Sequence, residues 1–367
     1  LIVGALIDRR DFLRAAGAAF VAGLSDRALS QTLAADAVYA TAFQNRYGGY
    51  GVAVLSEAGA LLYNAPLPGR GHDVTYDPIN CRAVVFSRQP GTFAVIFDPR
   101  GAKEPQTISS VAGRHFFGHG AFSPDGALLY ATENDFENAA GMVGVYDATD
   151  DFRRIGEFAT HGVGPHELIL MPDGATIAIA NGGIETHPDY GRAELNLSIM
   201  KPSLVFLNRH DGSLIEKHAL PADLHQLSIR HMDVDHRGSI WFGCQYRGPA
   251  SDRPMLVGKA ERGANFGLIE MSDAALGGLR NYVGSVAANH RAGTVAISSP
   301  QGNSYAILEA ASGKLLQLRS LTEVCGLAPV GESYFATSGL GALERPGADP
   351  VTMADHVWDN HLLSFTA

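Results

Sequence analysis

The sequence predicts an all-β fold, a seven-bladed β-propeller built from four-stranded antiparallel blades. Three observations lead there. A histidine-led stretch ending in a tight turn recurs as His72-Asp-Val-Thr-Tyr-Asp-Pro-Ile-Asn80, His119-Gly-Ala-Phe-Ser-Pro-Asp-Gly126 and His166-Glu-Leu-Ile-Leu-Met-Pro-Asp-Gly174, with successive histidines 47 residues apart. The chain holds 42 Gly and only 18% charged residues, a composition of short strands and turns rather than helices. Setting aside about 35 N-terminal residues leaves roughly 332, or about seven periods of that length.

The first 35 residues read as an address. Asp8-Arg9-Arg10-Asp11-Phe12-Leu13-Arg14 is followed by the weakly apolar run Ala15–Leu24 and then by small residues. Adjacent arginines before a mild Ala/Gly-rich segment look like a twin-arginine export signal. The run is too short to span a ~30 Å hydrocarbon core. The expected division is therefore a signal peptide over 1–35 and one propeller domain over 36–367, periplasmic, with no membrane span in the mature chain.

The blades follow in order. The strand Val38–Phe43 opens the first unit, and the three histidine-led copies open the next three. A fourth copy, His231-Met-Asp-Val-Asp-His-Arg-Gly238, comes 65 residues after the third, and degenerate copies begin near Ser285 and Cys325. Within each unit an inner strand meets a turn and a second strand, such as Leu128–Thr132 or Thr176–Ala180. Third strands (Phe93–Phe97, Leu204–Asn208) and fourth strands (Leu214–Ala219, Leu315–Leu318) complete it. Four short strands per repeat at this period define a propeller blade. Pairing of the N-terminal segment with the last blade is the expected closing clasp.

Alternating strand direction puts the unusual residues on one face. Arg70-Gly71-His72, His115-Phe-Phe-Gly-His119, His161-Gly-Val-Gly-Pro-His166 and Ser228-Ile-Arg230-His231 lead into inner strands; Arg88, Glu133-Asn134, Asn181-Gly-Gly183 and Gln245 follow second strands. The longest insertions, expected at Asn181–Pro202 and Gly339–Asn360, fall on that face, and long loops in a compact repeat are usually functional. His72, His119, His166 and His231 stand at equivalent points of consecutive blades and are the candidate metal ligands, since imidazole suits Fe, Cu and Zn. Their distance to the following turn varies by one residue, so convergence requires a bulge. His115, His161, His187 and His361 extend the set, and Glu133 or Glu167 offers a carboxylate. Arg70, Arg88, Arg192 and Arg230 suit carboxylates of a small organic acid or metal chelate. The same histidines also suit a purely structural role, fixing loops within and between blades.

Those motifs, with His187-Pro188 and Trp358-Asp359-Asn360-His361, resemble an exported propeller family of unknown function. Its members are often encoded beside imelysin-like periplasmic iron-uptake proteins, and the resemblance covers about residues 37–367. It implies the fold and a link to iron, with iron-uptake proteins as partners, but no activity. More distantly, Gly164-Pro165-His166 followed by Pro-Asp-Gly is similar to the YVTN/lactonase-like propellers.

A net charge of −10 without any Lys/Arg run argues against nucleic acid as a partner. Cys81, Cys244 and Cys325 are too few for a disulfide framework. Three functions stay open: a periplasmic binding or accessory protein holding a transition metal or chelate, a lactone-type hydrolase using Glu133, His166 and Arg230, and a protein–protein scaffold.

Overall fold

In a computed structural model, residues 38–56 and 58–365 are described. The expected signal segment and its cleavage region lie outside them. Among the described residues, seven antiparallel sheets form a seven-bladed propeller. Blades 2 to 7 open with the inner strands Gly71–Asp77, Arg114–Phe122, Pro165–Leu170, Leu227–Val234, Ser285–Asn289 and Val324–Val330. Each then steps outward through three more strands, in sequence order. Second and third strands are the core. Thr176–Asn181 and Ser203–Asn208 are buried almost throughout, whereas the outer Leu214–Ala219 alternates exposed and half-buried. Central strands covered on both faces read as continuous apolar runs, and outer strands alternate.

The clasp differs from the expectation. Val38–Asn45, Tyr50–Ser56 and Leu61–Leu67 are the outer three strands of blade 1, and its inner edge comes from the far end of the chain. His356–Trp358 pairs Phe43 with Trp358, and Leu363–Ser364 pairs Tyr39 with Ser364. The N-terminal segment thus receives the C-terminal one in the first blade and does not join the last. The cause is local: residues 38–67 supply three strands, so the inner place must be filled from elsewhere. Trp358, 1% exposed, fixes the seam against Phe43 at 5.9 Å between ring centroids.

The expected insertion Gly339–Asn360 is not one loop. It contains Ala342–Glu344 and Val351–Thr352, the outer strands of blade 7, before the clasp strand. The segment after Asn181 does remain a long loop, carrying two 3-10 turns, Pro188–Tyr190 and Leu197–Ile199. A helix that the repeat did not predict, Asp273–Leu279, precedes blade 6, with Ser272 Oγ accepting from the Ala275 N–H as its N-cap. Among the described residues no helix is long and apolar enough to cross a membrane.

Candidate functional site

Each inner strand that carries a ring histidine is bulged at it. Register shifts fall between Gly71 and Val74, Phe116 and Gly120, Pro165 and Glu167, and Ile229 and His231. A bulge lets two residues oppose one and re-aims a side chain. Here it turns His72, His119, His166 and His231 toward the channel axis despite their unequal distances to the turn. Gly118 makes the tightest of these bends: its φ is +106°, and a Cβ there would lie 2.6 Å from His72 Cδ2.

The four imidazoles converge, and His361 joins them as a fifth. His361 occupies the break between the two clasp strands, held by Thr41 Oγ1 donating to its carbonyl at 2.7 Å. It is therefore the blade 1 counterpart of the ring histidines. Ring centroids lie 4.7 Å apart for His72–His361 and His119–His361, 4.8 Å for His166–His231 and His231–His361, and 5.0 Å for His119–His166. Two trios, His72/His119/His166 and His119/His231/His361, place one ring nitrogen each within 4.8 Å of one another. The Nε2 atoms of His119, His166, His231 and His361 are buried and have no hydrogen-bond partner.

Carboxylates stand behind four of the five rings. Asp359 takes His72 Nδ1 at 2.9 Å. Asp73, from blade 2, faces His119 Nδ1 of blade 3 at 3.2 Å and His361 Nδ1 of blade 1 at 3.9 Å. Glu167, from blade 4, repeats the pattern between His231 of blade 5 at 3.2 Å and His119 at 3.8 Å. A carboxylate on Nδ1 fixes the tautomer whose Nε2 lone pair is free. His166 differs. Its Nδ1 accepts from Arg230 Nη1 at 3.1 Å, and a guanidinium can only donate. The neutral His166 ring therefore carries its proton on Nε2.

Burial sets the charges. It pushes the His72 imidazole down to about 4 against the pull of Asp359. Burial likewise holds His166, His231 and His361 well below the usual histidine range. Burial thus favours the neutral form of these four rings, the state a metal ion requires. Glu167 is pushed well above its ordinary value by burial, with Asp73 and Asp233 adding. Burial acts in the same sense on Asp73, but His361 and the His119 hydrogen bond outweigh it and leave it lowered. Arg230 is brought down to about 9 by burial and the nearby Arg247.

Above the cluster opens a cavity of ≈190 Å³, lined by His72, His166, His231 and polar residues that include Arg88, Arg230 and Gln245. Arg88 sits 3.9 Å from Asp359, and the half-exposed Arg70 donates to the same carboxylate at 2.7 Å. Gln245 donates to the Val283 carbonyl and accepts from Arg247.

Six expected site residues stand elsewhere. His115 spends both nitrogens, donating from Nδ1 to the Phe116 carbonyl and accepting on Nε2 from Asn134, which also donates to the Thr186 carbonyl. His187 caps the turn at 188–190 and faces Glu137. His161 is an exposed turn residue at φ +54°. Asn181 ties Thr160 to Ser203 within blade 4. Glu133 is sealed inside blade 3, accepting from Tyr146 at 2.6 Å and pairing with Arg154 at 2.8 Å. Its carboxylate is taken up by Tyr146 and Arg154, with no hydrogen bond or ion pair to His166 or Arg230 among the described residues. Two of the site carboxylates, the half-buried Asp73 and the buried Asp359, were not expected. A signal was present: an acid follows the histidine in both His72-Asp73 and His166-Glu167, at equivalent points of blades 2 and 4.

These features define a propeller with a buried, carboxylate-backed polyhistidine channel under a cationic mouth. The chain belongs to the family described as protein of unknown function (DUF1513), which it matches over residues 65–365. No curated protein matches the sequence. Among solved structures it is similar to Kuenenia stuttgartiensis hydrazine synthase, at 14% identity and TM-score 0.58, covering 83% of this chain and 90% of that one. It is also similar to the Cps50 (Swd1) β-propeller domain of Myceliophteria thermophila, at 11% identity and TM-score 0.57, covering 86% and 97%. At such identities the likeness shows the fold alone.

Proposed function

We propose that this protein binds one transition metal ion in the histidine channel, through Nε2 of His119, His231 and His361 with His72 beside them. The single observation that carries this reading is the set of three buried Nε2 atoms with no partner, those of His119, His231 and His361. Leaving a buried polar atom unsatisfied costs about 1–3 kcal/mol each, against a typical total stability of about 5–15 kcal/mol. A fold that gathers three such atoms at one point is arranged around something outside the chain. Iron, copper and zinc all accept neutral imidazole. Bonds of about 2.1 Å would draw the ligating nitrogens to about 3.4 Å from one another, a modest closing of the trio's present spread. His166, first expected among the ligands, takes the opposite role because Arg230 fixes its Nε2 as a donor.

The remainder of the reading rests on the sequence. Arg9-Arg10 and the apolar run after them support export by the twin-arginine route to the periplasm, and the resemblance supports service beside iron-uptake proteins. Titration of metal-free protein with ferrous, cupric and zinc ions tests the core of it. One saturable site per chain, abolished in a His119→Ala/His231→Ala variant that keeps its far-ultraviolet dichroism, is the expected result. Absence of saturable binding for all three ions overturns it.

A further inference from the structure

The mouth of the channel has more cations than counter-ions. Arg88 follows the second strand of blade 2, Arg192 sits on the long loop of blade 4, and Arg230 and Arg247 come from blade 5, so three blades surround the cavity with guanidinium groups. Two carboxylates face them. Glu194 pairs with Arg247 at 3.1 Å, and Asp359 is already shared by Arg70, Arg88 and His72. Among the described residues, neither Arg192 nor Arg230 has a carboxylate within 4 Å. Arg230 is nonetheless held in place, donating from Nε to Ser228 Oγ at 3.0 Å and from Nη1 to His166 Nδ1. Two of its five N–H donors are spent there and three remain. The Nε2–H of His166, buried and unpartnered, is a further donor.

With Arg230 held in position and Arg192 reaching the gap from the exposed loop, the donors around it favour an anion, and guanidinium forks match carboxylates two oxygens at a time. Because the cations come from separate blades, one small charged group cannot satisfy them together, whereas several on a short skeleton can. Phe117 and Ile184 provide apolar wall for such a skeleton. At ≈190 Å³ the space falls below the ~300–1,000 Å³ of drug-sized sites. That points to a small acid rather than a nucleotide or a sugar polymer.

We propose that this cavity binds a small di- or tricarboxylate, seated on Arg192, Arg230 and the Nε2–H of His166. Where the channel holds a metal, the same anion supplies it with an oxygen ligand from the open side, a part that rests on the metal-binding reading above. The anion site itself stands on the arginines and His166 and does not require the metal.

The test is calorimetric titration of metal-free protein with tricarballylate, and separately with inorganic phosphate, alongside a zinc titration of the same preparation. Saturable tricarballylate binding is expected, at least tenfold tighter than phosphate. It should weaken at least tenfold in Arg192→Ala, a substitution on an exposed loop, and in Arg230→Gln. Zinc affinity in Arg192→Ala should be unchanged. Absence of saturable tricarballylate binding, or unaltered wild-type affinity in both variants, overturns the proposal. Phosphate binding as tightly as tricarballylate overturns the polycarboxylate assignment. Protein that binds zinc but not tricarballylate leaves the metal reading standing and removes the anion site; the reverse result keeps the anion site and removes the metal.

Discussion

Replacing Asp73 with Asn tests the carboxylate-backed site at its most economical point. Asp73 lies 3.2 Å from His119 Nδ1 and 3.9 Å from His361 Nδ1, so one carboxylate orients two of the proposed ligands from two blades. The ionised carboxylate accepts from His119 Nδ1–H and attracts the Nδ1–H side of His361 electrostatically across the longer distance. An amide offers one oxygen and one NH₂, so Asn satisfies one ring and presents a donor to the other. A ring facing a donor on Nδ1 takes the opposite tautomer and loses its Nε2 lone pair. Removing such an outer partner typically costs 10–100-fold in metal affinity, or about 1.4–2.7 kcal/mol. The loss here should fall toward the upper end, because two ligands share the one partner. Competition for zinc against a chromophoric chelator measures it, with thermal melting of the metal-free form confirming that the fold persists. Unchanged zinc affinity in a folded Asp73→Asn variant would refute the idea that Asp73 orients ligands.

Other substitutions separate site from scaffold. Gly118→Ala forces a Cβ toward His72 at a positive φ and should destabilise the protein by about 1–3 kcal/mol, read by urea unfolding, with metal affinity falling as well. Glu133→Gln weakens the pair between the buried Glu133 carboxylate and the partly exposed Arg154 and should cost about 1–3 kcal/mol while leaving metal affinity unchanged; a loss of zinc binding without destabilisation would return Glu133 to the site. Trp358→Ala empties the seam of blade 1 and should cost about 3–5 kcal/mol, seen as a lower melting temperature and faster proteolysis near the C-terminal end. Zinc at 100 times its dissociation constant should add about 2.7 kcal/mol of stability and slow amide exchange over residues 356–364; exchange slowed equally in all blades would argue against a link between metal and clasp.

The propeller was legible because its period is written in turn residues. Pro-Asp-Gly after His119 and His166, with Asp-Pro-Ile-Asn after His72 and Asp-His-Arg-Gly after His231, marks the same bend, and the apolar second and third strands between those bends are long enough to recognise. Blade 1 was harder, because its five strands come from both ends of the chain and no window of sequence contains them. The convergence of His72, His119, His166 and His231 followed from the repeat, and the unequal spacing already required bulges. His361 was noticed but not placed, since its equivalence to the others depends on a strand pairing across more than 300 residues. Glu133 and His115 misled for a related reason. Both sit beside site motifs in sequence, yet strand alternation turns Glu133 toward Tyr146 and Arg154, while Asn134 occupies His115. Sequence proximity to a site says little about direction when side chains alternate every residue.

Closing the ring and building the site are the work of the same few residues. Trp358 packs the seam, and the Asp359 N–H donates to the Ala42 carbonyl at 2.9 Å. The Asp359 side chain orients His72 and Arg70, and two residues later His361 completes the imidazole cluster. An open ring therefore lacks a ligand, an orienting carboxylate and a counter-ion at once. The proposed trio His119, His231 and His361 comes from blades 3, 5 and 1, so an ion held there would bridge three sectors that share no strand pairing. A group that binds only the closed form stabilises closure by its own binding free energy. Under the proposed binding, the ion would relieve the unpartnered Nε2 atoms of His119, His231 and His361 and, through His361, would favour the closed seam.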